Sequence, residues 1–143
     1  SDYHNHQKKI ALINDMTGFG PLLESQWRFL LFPCFVFSAV PSDSYFFKHT
    51  GFESFYYQDY TDHMQPSINE WKKLGLEFSG ICTGFLGSAR QIAIVSDFIR
   101  DFKRPDNLVI IDPVMGDYGK PYPTYTKEMC DHMKDLVCYA DIL

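Results

Sequence analysis

Leu108-Val109-Ile110-Ile111 is an unbroken apolar run, three of its four residues β-branched, and it stops abruptly at Asp112-Pro113. A segment apolar on both faces suits a central parallel strand covered by helices on both sides, rather than a strand with one wet face. The residues that follow, DPVMGDYGKPY up to Tyr122, are polar and glycine-rich. In parallel α/β sheets ligands gather at the carboxyl ends of strands, so this word is placed where chemistry is usually done.

Other segments supply the rest of such a sheet. Lys9–Asn14 (KIALIN) predicts a short strand running into the turn-rich DMTGFG. Residues 78–83 (FSGICT) predict a second strand ending at Gly84, weakened by Gly80 within it. Ala140-Asp141-Ile142-Leu143 begins a fourth. Helical stripes lie between them. Ser88 and Gln91 have the spacing of a capping box, followed by Ile92, Val95, Ile99 and Phe102. Met129, Cys130, Met133, Leu136 and Val137 form a similar stripe. Met64, Ile68 and Trp71 form a third, with Pro66 placed in a first turn. All three read as core packing. Residues 50–62 (TGFESFYYQDYTD) alternate and predict extended chain at an edge or lid. Strands alternating with helices predict an α/β domain with a mostly parallel sheet, and three polar words (NDMTGFG, TGFLGS and DPVMGDYGK) should converge at its strand ends.

Bulk properties narrow the partners. The 143 residues suit one domain, and a formal charge of −5 argues against nucleic acid or an anionic membrane. Cys34, Cys82, Cys130 and Cys138 are widely spaced with no CxxC pair, which fits reduced thiols and a cytoplasmic setting. The apolar stretch Phe29 to Val40 is too short to span a bilayer and is broken by Pro33. His4 and His6 belong to a polar terminus rather than a metal site.

Asp112 and Asp117 flank Pro-Val-Met-Gly, a spacing that can set two carboxylates around one hydrated Mg²⁺ or simply cap a turn. No GxxxxGK[ST] loop is present, and GFGPLL is not a dinucleotide fingerprint. Asp15, Thr17 and Thr50 are hydrogen-bonding residues beside glycines, where a small polar molecule can approach the backbone. His49 precedes Thr50-Gly51 and has the same two readings, ligand contact or turn residue.

These words together resemble pyridoxal kinase, within the ribokinase-like superfamily. INDMTGFG resembles the family's substrate loop, HTGF its SNHTG word, TGFLGS its TGYLGS, and DPVMGDYGKPYPTYT its nucleotide and metal segment. The resemblance implies a ribokinase-like three-layer fold with a mostly parallel central sheet, of which this chain is the N-terminal half. It implies ATP-dependent phosphorylation of the 5′-hydroxymethyl group of a B6 vitamer, with Mg²⁺ and a K⁺ ion as cofactors and a homodimer joined through a lid at residues 40–60. By position, Asp15, Thr17, His49, Thr50 and Phe85 would meet the substrate. Asp15 stands where many members have Ser, and Phe85 where many have Tyr. Asp112, Asp117 and Tyr122 would meet ATP, the two acids also the metal. The general base is expected beyond Leu143, so no catalytic residue is assigned within the chain and the chain alone is expected to be inactive. A hydroxymethylpyrimidine kinase shares the Asp-Pro-Val word and is the alternative enzyme. A non-catalytic fragment that folds, dimerises or binds ligand is the other alternative.

Residues 21–48 do not match the family. Shifting the reading frame over them yields family-like words: IPIIS from the RFLLFP region, QCCPV from FSAVP and PTAIFSN from SDSYFFK. The stretch therefore reads as an out-of-frame segment in a single, incomplete domain, and the intact mass of the protein distinguishes a shifted chain from an in-frame one.

Overall fold

Apolar alternation and parallel pairing account for most of the architecture. The computed structural model describes residues 8–17, 36–45 and 57–143. Its elements are β1 (Lys9–Thr17), β2 (Val36–Tyr45), β3 (Tyr57–Asp59), α1 (Thr61–Lys73), β4 (Gly80–Thr83), α2 (Ala89–Phe102), β5 (Leu108–Ile111), the paired β6 (Gly116–Asp117) and β7 (Lys120–Pro121), and α3 (Lys127–Val137). Five strands form one sheet in the order β3-β2-β1-β4-β5. β2, β1, β4 and β5 are mutually parallel, and β3 runs antiparallel at the β2 edge.

β1 is therefore the central strand, and β5 lies two places to its side. Only an isolated parallel bridge, Ile110 to Ile142, extends the sheet past β5. Val109 and Ile111 are buried, whereas Leu108 is 43% exposed. In the described residues the Val109 and Ile111 face of β5 is thus buried and the Leu108 and Ile110 face is less covered. Ala11, Ile13, Ile81, Val109 and Ile111 share one core cluster with Met64 and Ile68 of α1, Ile92, Val95, Phe98 and Ile99 of α2, and Met129, Met133 and Leu136 of α3. The described helices thus all pack against the same set of alternating strand positions.

Three local differences from the sequence reading have plain causes. β1 continues through Asp15 and Met16 to Thr17, because pairing with β2 carries it past a register shift between Asn14 and Met16. α1 begins at Thr61, so Pro66 lies in its interior rather than its first turn. Proline there removes one i→i−4 bond, and Ser67 Oγ donates to the neighbouring His63 carbonyl at 2.8 Å. Of residues 50–62, Tyr57–Asp59 is an edge strand as expected, Thr61 and Asp62 are helical, and 50–56 lie outside the described residues. Residues 21–35 of the anomalous stretch also lie outside them, while 36–45 form β2.

At the amino-terminal side of the core Trp71, Phe78, Phe98 and Phe102 make an aromatic cluster. Ring centroids are 4.7 Å apart for Phe98–Phe102, 5.4 Å for Phe78–Phe102 and 5.1 Å for Trp71–Phe78, all tilted rather than stacked. Asp141 closes the other side of α2. Its carboxylate accepts from Lys103 Nζ at 2.5 Å and from the Val109 amide at 2.8 Å, and these partners hold it below the usual carboxylate range.

Candidate active site at the carboxyl ends of β1, β4 and β5

The chain leaves β1 toward β2 on one side and enters β4 on the other, so strand order reverses between β1 and β4. A crevice opens at such a switch point because the two outgoing loops diverge. Here a cavity of about 410 Å³ lies against it, lined among others by Asn14, Asp15, Thr83, Gly84, Phe85 and Asp112. All three polar words expected to converge contribute to this lining, the third through Asp112 and Val114.

The crevice wall is knitted by side chain and backbone together. The Gly84 amide donates to the Ile13 carbonyl at 2.8 Å, and the Phe85 amide donates to Asn14 Oδ1 at 2.9 Å. The Asp112 amide donates to the Thr83 carbonyl at 3.2 Å. Gly84 leaves room for this approach: a Cβ there would sit 2.3 Å from Asn14 Oδ1, and the Asn14 amide would have to move from its bond to Phe85. Asp15 is 7% exposed, at the register shift in β1, a place where strands commonly re-aim a side chain. Thr83 Oγ1 is buried and has no hydrogen-bond partner among the described residues, an unusual state for a hydroxyl in a protein interior.

Beyond Asp112 the chain makes a small hairpin, β6–β7, with Gly116 paired to Pro121 and Asp117 to Lys120. Its turn residues Tyr118 and Gly119 have φ of 49° and 74°, the pattern of a type I′ turn, with tyrosine at a position that favours glycine, asparagine or aspartate. Tyr122 follows the hairpin, its amide donating to the Met115 carbonyl at 3.0 Å. The Tyr122 ring meets Phe85 edge-on at 6.3 Å between centroids. Burial raises the Tyr122 phenol above its ordinary value, and the nearby charges of Asp117, Asp15 and Asp112 raise it further. Asp15 and the distant pair Asp112 and Asp117 therefore act on one phenol.

That raised phenol gives a prediction. The folded protein should hold the Tyr122 proton at pH values where the unfolded chain has lost it. Its stabilising contribution is then complete below about pH 10, the ordinary tyrosine value, and is lost as pH rises through the folded value. Absorbance titration at 295 nm, with Tyr122→Phe as the difference reference, should show a component above the ordinary range that falls in Asp117→Asn. A Tyr122 component at the ordinary value would separate the phenol from the acids.

The expected site residues divide as follows. Asp15, Phe85, Asp112, Asp117 and Tyr122 are brought to this end of the sheet. Thr17 ends β1, with only its backbone described, and His49 and Thr50 lie outside the described residues. Asn14, Thr83 and Gln91 were not singled out for the site by sequence. Only contact across the crevice reveals them, apart from the capping spacing of Gln91. Among the described residues no three His, Cys, Asp or Glu side chains cluster closely enough to hold a metal by themselves. Two carboxylates suit a Mg²⁺ that keeps its waters and shares phosphate oxygens, because that ion is rarely caged by protein alone. Asp112 and Asp117 by themselves do not make a freestanding metal site. No described helix is long and apolar enough to cross a membrane.

No family model matches the sequence, and no curated protein matches it. Solved structures do. A candidate phosphomethylpyrimidine kinase from Bacteroides thetaiotaomicron is 42% identical, with a TM-score of 0.90 over 99% of this chain and 49% of that one. An orthorhombic form of that protein, with pyridoxal, matches at 42% identity and a TM-score of 0.86 over 94% of this chain and 47% of that one. Pyridoxal kinase from Lactobacillus plantarum shares the fold at 18% identity, with a TM-score of 0.83 over 91% of this chain and 46% of that one. The chain spans about half the length of these relatives. It has the ribokinase-like α/β fold of these kinases.

Proposed function

We propose that this chain forms the vitamin-binding and nucleotide-metal wall of a kinase that phosphorylates the 5′-hydroxymethyl group of a B6 vitamer with ATP. The observation that carries the reading is the crevice that Asp15, Phe85 and Asp112 share at the strand ends, with the Tyr122 ring edge-on to Phe85. The relative at 42% identity has a crystal form with pyridoxal, which supports a pyridine-ring substrate.

Each group then has a physical task. Phe85 and Tyr122 offer aromatic surface to a flat heterocycle. Asp15 and the unpartnered Thr83 hydroxyl offer polar contacts to its substituents. Asp112 and Asp117 would hold a Mg²⁺, which when bound would supply neutralisation of the negative charge on the phosphates. Phosphoryl transfer depends on positioning and charge stabilisation, and these residues would supply positioning of the vitamin and the nucleotide. Homodimerisation, a K⁺ ion and a cytoplasmic setting belong to the same reading and rest on the resemblance.

A second reading has its own support, since the same relative is named for phosphomethylpyrimidine. Calorimetric titration separates the two. Pyridoxine is the better probe than pyridoxal, whose aldehyde also reacts with lysines. Pyridoxine is expected to bind about tenfold or more tightly than hydroxymethylpyrimidine, a difference of about 1.4 kcal/mol. Asp112→Asn and Asp117→Asn should each weaken ADP–Mg²⁺ about tenfold and leave pyridoxine within about twofold. Tighter hydroxymethylpyrimidine binding would hand the site to the second reading, and binding of neither heterocycle would remove both.

A further inference from the structure

Gln91 at the start of α2 does something other than close its own capping box. Ser88 Oγ accepts from the Gln91 amide at 3.2 Å, as expected of an N-cap. The Gln91 side chain does not return to Ser88. Its Oε1 accepts from the Gly87 amide at 2.6 Å, and its Nε2 donates to Thr61 Oγ1 at 2.9 Å. Thr61 Oγ1 in turn donates to Asp59 Oδ1 at 2.5 Å, and the Thr61 amide donates to the same oxygen at 2.8 Å. Gln91 and Thr61 are 1% and 6% exposed, so water does not compete for these bonds.

Every donor in this chain points the same way, from the Gly87 amide to the Asp59 carboxylate. Aligned bonds polarise one another, and a terminal ionised acceptor strengthens the last of them. Burial alone would raise Asp59, but the Thr61 bonds, Gln91 and the Arg90 charge outweigh it and lower the carboxyl below its ordinary value. The anion is thus held ready to anchor the relay across the neutral range. What the relay joins is the functional point. One end is the loop 84–87, whose other end is pinned by Asn14 and which presents Phe85 to the site. The other end is the β3–α1 junction, the first described structure after the HTGF word in sequence.

We infer that Asp59, Thr61 and Gln91 are positioning residues that set the 84–87 loop, and with it Phe85, for a flat ring substrate. Gln91 bonds the loop directly, and Thr61 and Asp59 act through Gln91. This deepens the proposed function and rests on it for the identity of the ring, but the loop-setting role stands on the bonds alone.

The test combines amide hydrogen exchange with titration of the full chain by pyridoxine and by ADP–Mg²⁺. Gln91→Met keeps length and apolar volume while removing the side-chain hydrogen bonds, those to Gly87 and Thr61 among them. It should speed exchange at Gly87 and Phe85 about tenfold, weaken pyridoxine about tenfold and leave ADP–Mg²⁺ within about twofold. Thr61→Val should do the same, and Thr61→Ser, which keeps the hydroxyl, should restore the wild-type values. Unchanged exchange at Gly87 in Gln91→Met overturns the relay. Faster exchange with wild-type pyridoxine affinity overturns its role in setting Phe85. Equal losses for pyridoxine and ADP–Mg²⁺ also overturn it, since that is the mark of general unfolding. If wild-type protein binds no pyridoxine while exchange responds as stated, the relay stands and the proposed function is what fails.

Discussion

Phe98→Ala is expected to lower the stability of the chain by about 3–5 kcal/mol, a large share of the roughly 5–15 kcal/mol that holds a typical domain. Phe98 is 1% exposed on the inner face of α2 and belongs to the core cluster. Its ring lies 4.7 Å from Phe102, 6.0 Å from Trp71 and 6.1 Å from Phe78. These rings join α1, the approach to β4 and α2, three separate elements, so the space left by Phe98 cannot close by moving one side chain. Ion pairs at the same end, Lys72 with Asp101 and Arg104 with Glu77, are solvent-exposed and screened, and they offer little to offset the cavity. Urea unfolding followed by Trp71 fluorescence measures the effect. A loss under about 1 kcal/mol would show that the cluster collapses around the gap, and that it is not where α1 and α2 are fastened.

The fold was more legible than the site, and for a physical reason. β5 declared itself through four apolar residues, and α2 through Ile92, Val95, Ile99 and Phe102, because periodic burial leaves its mark on sequence. β1 beyond Asn14 left no such mark. Residues 15–17 are turn-like in composition and become strand only because β2 offers partners across a register shift. The same limit hid Asn14 and Thr83. A polar residue at a strand end has the same local appearance whether it meets solvent, a neighbouring loop or a ligand. Asp112 and Asp117 could be placed at one strand end by their spacing, but their meeting with Asp15 is a product of parallel strands ending on one side. Gln91 shows the limit most clearly. Its spacing from Ser88 fits a capping box, yet the side chain serves Gly87 and Thr61 instead, which only the approach of α1 to the loop makes available.

Gly116→Ala is expected to abolish tight ADP–Mg²⁺ binding while leaving the rest of the fold in place. A Cβ at 116 would lie 2.2 Å from the Lys120 carbonyl oxygen and 2.8 Å from both the Lys120 carbonyl carbon and Pro121 Cα. All three atoms are backbone, so none can rotate aside as the Asn14 amide could before a Cβ at Gly84. The only relief is to open the pairing of Gly116 with Pro121 that defines the hairpin. Asp117 lies within that pairing and Tyr122 immediately after it, so opening the hairpin separates the acid from the phenol it acts on. ADP–Mg²⁺ affinity should fall by at least about tenfold, and the Tyr122 phenol should move back toward its ordinary value. Because Asp117, Tyr118, Gly119 and Lys120 are all exposed, little apolar surface is lost, and unfolding free energy should change by no more than about 1 kcal/mol. Calorimetry, absorbance titration and urea unfolding on one variant check the three parts together. If Gly116→Ala binds ADP–Mg²⁺ as the wild type does, the hairpin is not the nucleotide wall. The acids that meet at Tyr122 would then need another reason to be there.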